Sequence, residues 1–66
     1  MIPPFDIFRV TQDSQPLWLE PASTLDDAKA RVIELGKSRP GEYIIFSQKT
    51  GHEISIMITE QEKRGN

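Results

Sequence analysis

The sequence predicts an α+β domain of order ββαββ, with one helix packed on one face of a small, mainly antiparallel four-stranded sheet. Three observations predict it. Glu42-Tyr43-Ile44-Ile45-Phe46-Ser47 and Glu53-Ile54-Ser55-Ile56-Met57 are β-branched and aromatic runs on either side of Lys49-Thr50-Gly51, which is how a hairpin is written. Leu25, Ala28, Val32 and Leu35 recur at helical spacing behind Thr24, a capping residue type. Two shorter apolar stretches, residues 5–11 and 17–20, come first and are separated by Gln12-Asp13-Ser14-Gln15-Pro16, a cluster of turn formers.

Residues 5–11 form the first strand of this scheme, alternating imperfectly, with apolar side chains on both faces. Residues 17–20 form a short second strand, stopped by Pro21, which has no N–H for a ladder. The two pair as a hairpin whose register the sequence does not fix. Placing Phe8 and Val10 toward the helix points Phe5, Ile7 and Arg9 away from it; Leu17 and Leu19 inward put Trp18 outward.

The helix starts at Thr24, with Asp27 at its third position and Asp26 and Asp27 placed where the helix dipole favours negative charge. Leu25, Ala28, Val32, Ile33 and Leu35 fall within an arc of roughly 160°. Lys29 and Gly36 share that arc, Lys29 snorkelling to water. Gly36 either admits the helix to the sheet or ends it as the residue after the cap. Asp27 and Arg31 stand four apart in the favourable order, and Lys37 and Arg39 sit near the negative end of the dipole. Pro40-Gly41 then turns the chain back toward the sheet.

In the second hairpin, Lys49-Thr50-Gly51 fits a three-residue turn, a type I turn closed by a left-handed glycine. That places Gln48 opposite His52, and outward from there Ser47 meets Glu53, Phe46 meets Ile54, Ile45 meets Ser55, Ile44 meets Ile56 and Tyr43 meets Met57. Ile44, Phe46, Ile54 and Ile56 then share the core face, while Tyr43, Ile45, Ser55 and Met57 share the other. Since the helix returns the chain parallel to the second strand, a fully antiparallel sheet has strand order 2-1-3-4 or 1-2-4-3.

The chain of 66 residues is one domain near the lower size limit for folding on a single apolar core. Residues 1–4 are an extended lead-in, 5–58 the domain, and 59–66 a polar tail expected to fray. With no cysteine, disulfides and thiolate-bound zinc are excluded. No apolar run has the length of a membrane span, and residues 1–4 lack the basic and apolar regions of a signal peptide; the expected location is cytoplasmic. Eight basic and ten acidic side chains give a net charge of −2, which argues against non-specific polyanion binding.

Leu17-Trp18-Leu19, Thr24-Leu25-Asp26-Asp27-Ala28, Pro40-Gly41-Glu42-Tyr43-Ile44-Ile45-Phe46 and Lys49-Thr50-Gly51 resemble the pattern of short bacterial hypothetical proteins of ββαββ order. The resemblance covers residues 5–58 and rests on cap, turn and core signals. It implies a fold and no activity. Thr24 and the two aspartates stand where that pattern has serine and glutamates, which touches cap strength alone.

No catalytic, cofactor-binding or metal-binding residue is assigned. His52 is the only histidine and sits beside a turn without a nucleophile or second ligand. Ser47, Ser55 and Glu53 fall on the strand face opposite His52, so they make no triad with it. Asp26 and Asp27 are explained by helix-start electrostatics. No phosphate loop, metal-ligand spacing or nucleophile elbow occurs. What remains is a surface: Phe5, Ile7, Trp18, Tyr43, Ile45 and Met57 on the uncovered sheet face. The expected protein is a non-enzymatic interaction module that forms a homo-oligomer, or takes up another protein, through that face, with no cofactor and no membrane partner. A single-stranded nucleic-acid module using Trp18 and Tyr43 as a stacking platform, with Arg9 as a cation beside them, is the alternative.

Overall fold

A computed structural model describes residues 3–59. The strands are β1 (Phe5–Val10), β2 (Pro16–Ala22), β3 (Gly41–Ser47) and β4 (Glu53–Ile58), with helix α1 (Leu25–Ser38) between β2 and β3. They form one sheet of order β2-β1-β3-β4, every neighbouring pair antiparallel. This is the 2-1-3-4 alternative. Most of the polar tail, residues 60–66, and the first two residues of the lead-in lie outside the described residues.

The helix begins as its residues dictate. Thr24 is extended, at φ −136° and ψ 164°, and its Oγ1 accepts the Asp27 N–H at 3.0 Å. Ala28, Val32 and Gly36 are buried, and Leu25 and Leu35 pack partly against the same core. Ile33 instead remains 54% exposed, so the buried stripe is narrower than the apolar arc. Arg31 passes over Asp27 and pairs with Glu20 of β2, its Nε donating to both carboxylate oxygens at 3.0 and 3.1 Å.

Gly36 lies inside the helix and serves close approach. A Cβ built there would stand 2.5, 2.7 and 2.8 Å from Cγ2, Cγ1 and Cβ of Ile58. Ile58 is β-branched and has little rotamer freedom with which to yield. Gly36→Ala is therefore expected to destabilise by about 1–2 kcal/mol, overpacking outweighing the better helix propensity of alanine. In an Ile58→Ala background the same change is expected to become neutral or stabilising. Denaturant midpoints of the four proteins in this cycle check it, and additive effects would place Ile58 away from Gly36.

The second hairpin departs from the expected register by one residue. Ser47, not Gln48, faces His52: the Ser47 N–H donates to the His52 carbonyl at 2.9 Å, and the Ser47 carbonyl accepts the Gly51 N–H at 2.7 Å. Gly51 takes φ 78° as expected, but Gln48 belongs to a four-residue loop. That loop is held by bonds outside the local glycine signal. The Gln48 N–H donates to the Pro4 carbonyl at 2.8 Å, and the His52 N–H donates to Thr50 Oγ1 at 3.2 Å.

The pairs are accordingly Phe46 with Glu53, Ile45 with Ile54, Ile44 with Ser55, Tyr43 with Ile56 and Glu42 with Met57. A one-residue slip moves a strand's side chains to the opposite face relative to its partner. Here Ile54 and Ile56 keep their expected side while Tyr43 and Ile45 replace Ile44 and Phe46 beneath the helix. Strand β1 follows β3, with Ile7 opposite Ile45 and Phe8 opposite Ile44. Ile7, Ala22, Ala28, Val32, Tyr43 and Ile45 form the buried core.

Strand β2 is longer than expected and includes both Pro16 and Pro21. It is an edge strand, where a missing N–H can face water. Its ladder with β1 is irregular between Ile7 and Phe8, which meet Glu20 and Trp18 and leave Leu19 as an extra residue. Through this bulge Leu19 packs on the core and Glu20 reaches Arg31, while Trp18 stays with Phe8.

Candidate functional site

Among the described residues one side of the sheet carries no helix, and alternation from the buried residues fixes what it displays. Phe8 and Val10 of β1, Trp18 of β2, Ile44 and Phe46 of β3, and Met57 of β4 face this side. Phe8 is central, opposite Trp18 on one flank and Ile44 on the other. Phe8, Val10, Ile44 and Phe46 are half-buried by one another, whereas Trp18 and Met57 are 51% and 63% exposed. A shallow depression of about 420 Å³ lies over Phe8, Val10, Pro16, Ile44 and Phe46.

The rim is acidic and hydrogen-bonded. Asp6 accepts from Trp18 Nε1 at 3.0 Å and from Gln48 Nε2 at 2.7 Å. The first of these bonds tethers the half-exposed indole to β1. Ser55 Oγ donates to Glu42 Oε2 at 2.9 Å, and Glu53 stands beside Phe46. No lysine or arginine of the four strands faces this side; Arg9 pairs with Tyr43 and Leu17 on the helix side.

Of the six residues expected on the open face, Trp18 and Met57 are there. Phe5, Ile7, Tyr43 and Ile45 are not. Ile7, Tyr43 and Ile45 are among the most deeply buried side chains, and Phe5 packs against them. The physical reason is the longer loop: one added residue reverses β3 against β4, and β1 takes its register from β3. A stacking pair of Trp18 and Tyr43 is thereby ruled out, since the two rings lie on opposite sides of the sheet. Phe8, Val10, Ile44 and Phe46 take the vacated positions. Their signal in the sequence was the same alternation read one residue out of step.

Among the described residues no group of three His, Cys, Asp or Glu side chains is arranged to hold a metal ion, and no helix is long and apolar enough to cross a membrane. His52 is exposed, and its recorded bonds are made by its backbone in the turn. No family model, curated protein or solved structure matches the chain.

Proposed function

We propose that this chain is a non-enzymatic contact module that self-associates through the open face of its sheet. The supporting observation is the set of apolar side chains, Phe8, Val10, Trp18, Ile44, Phe46 and Met57, that strand alternation puts on the side of the sheet opposite the helix. Two such faces pack at about 10 Å with interdigitating side chains. Among the described residues the buried core of one chain is six side chains, and pairing the open faces adds a second core to a domain small enough to need one. Apolar centre and polar rim are also the usual anatomy of a contact surface.

The acidic rim gives the proposal a sign that separates it from nucleic-acid binding. Asp6, Glu42 and Glu53 repel across a pair of identical faces, so added salt screens the repulsion and holds or tightens self-association. Binding of a nucleic acid weakens as salt rises, because it is driven by counterion release. Sedimentation over a range of concentrations is expected to show a dimer that persists or strengthens with salt. Ile44→Lys is expected to shift it to a folded monomer. A wild-type chain that stays monomeric at high concentration overturns the proposal. Binding of a single-stranded oligonucleotide that is lost in salt and on Trp18→Ala would replace it with a nucleic-acid module that stacks bases on Trp18 without Tyr43.

A further inference from the structure

Arg9 is the anomaly of the helix side. Its Nε is enclosed and has no hydrogen-bond partner, and the ion pair recorded among the described residues joins Arg31 to Glu20 instead. An N–H enclosed without an acceptor has given up its bond to water and gained none in return, which is costly. Arg9 lies where β2 and the C-terminal half of α1 diverge, leaving a groove of about 390 Å³. Leu17, Leu19 and Leu35 give this groove apolar walls, with the ring of Tyr43 beside Arg9. Leu17 is 49% exposed, so an apolar occupant removes surface from water.

The charge balance of the groove selects an anion. Arg31 is held by Glu20, which leaves Arg9 and Arg39 facing the single carboxylate Glu34. We propose that this groove binds a small amphipathic carboxylate, its head on the Arg9 guanidinium and its apolar tail along Leu17, Leu19 and Leu35. The guanidinium fork matches a carboxylate in two parallel hydrogen bonds. The volume is at the lower end for small-molecule sites, which suits a short chain or a single ring. The site lies across the sheet from the open face, so it neither requires nor blocks association there.

Octanoate is the probe, titrated into the full chain while backbone amide shifts are followed, with inorganic phosphate and octanol in parallel. Phosphate tests for an anion site without a tail, and octanol for a tail site without a charge. Saturable binding of octanoate is expected, with shifts at Arg9, Leu19 and Leu35 and weaker binding of both comparators. Arg9→Met keeps the aliphatic stem and is expected to weaken octanoate by roughly tenfold or more. Glu34→Gln, at an exposed position, is expected to tighten it, and this arm holds even if Arg9→Met fails to fold. Phosphate or octanol binding as well as octanoate, shifts confined to the open face, or a Glu34→Gln protein no tighter than wild type would each overturn the proposal, as would no binding of octanoate.

Discussion

Ile45→Lys is expected to unfold the domain, while Ile44→Lys, one residue away, is expected to leave it folded. Ile45 is 1% exposed, in the core between Ile7 and Ile54. The substitution removes an apolar side chain worth about 2–5 kcal/mol on truncation. It also forces an ammonium into a site without a counter-ion, a further cost of several kcal/mol. A chain of 66 residues has a total stability of roughly 3–10 kcal/mol, so the combined loss matches or exceeds it. Ile44 lies between Phe8 and Ser55 on the open face. A lysine there extends its ammonium into water and forfeits cross-strand contacts of about 1 kcal/mol. Circular dichroism and amide shift dispersion of the two variants decide the register. A folded Ile45→Lys beside an unfolded Ile44→Lys would restore the three-residue turn.

The order of elements was legible because each rests on local chemistry. Thr24 and Asp27 meet three residues apart whatever the helix packs on, and the 3.6-residue spacing of Leu25, Ala28, Val32 and Leu35 selects the packed stripe. The return of the helix narrowed the strand order to two choices. Faces were not legible, because both sides of the sheet are apolar. Phe5 and Ile7 alternate with Phe8 and Val10, and Tyr43 and Ile45 with Ile44 and Phe46, so composition gives no preference and the turn alone decides. The three-residue turn with a left-handed bulge does occur, but in the first hairpin. The Thr11 carbonyl accepts the Ser14 N–H and the Thr11 N–H donates to the Gln15 carbonyl, both at 2.9 Å. Serine holds the left-handed position there, at φ 63°, where a glycine would have signalled it. In the second hairpin the glycine is present and the loop is one residue longer, because Pro4 takes the Gln48 N–H from a place distant in sequence. The Leu19 bulge has the same character: it places Leu19 on the core and Glu20 on Arg31, contacts that exist only once the helix is in position.

Tyr43→Ala is expected to cost about 3–5 kcal/mol, the range for removing a buried aromatic ring. Tyr43→Phe separates the two roles of this side chain. The ring is 1% exposed, set between Arg9 and Ile56 on the sheet and beneath Leu35 and the end of α1. Its hydroxyl donates to the Arg39 carbonyl at 2.5 Å. Arg39 is the C-terminal cap, its own N–H donating to the Leu35 carbonyl, in the turn where a helix runs out of internal partners. Tyr43 therefore fills the core and ties the helix end to the sheet. Tyr43→Phe keeps the ring and loses the tether, at an expected cost of about 0.5–1.5 kcal/mol. The loss is expected to appear as faster amide exchange in the last turn of α1, with β3 and β4 unchanged. Tyr43→Ala is expected to speed exchange throughout the domain, because the ring is shared by helix and sheet. A Tyr43→Ala protein with wild-type stability would return this residue to the surface and with it the original face assignment.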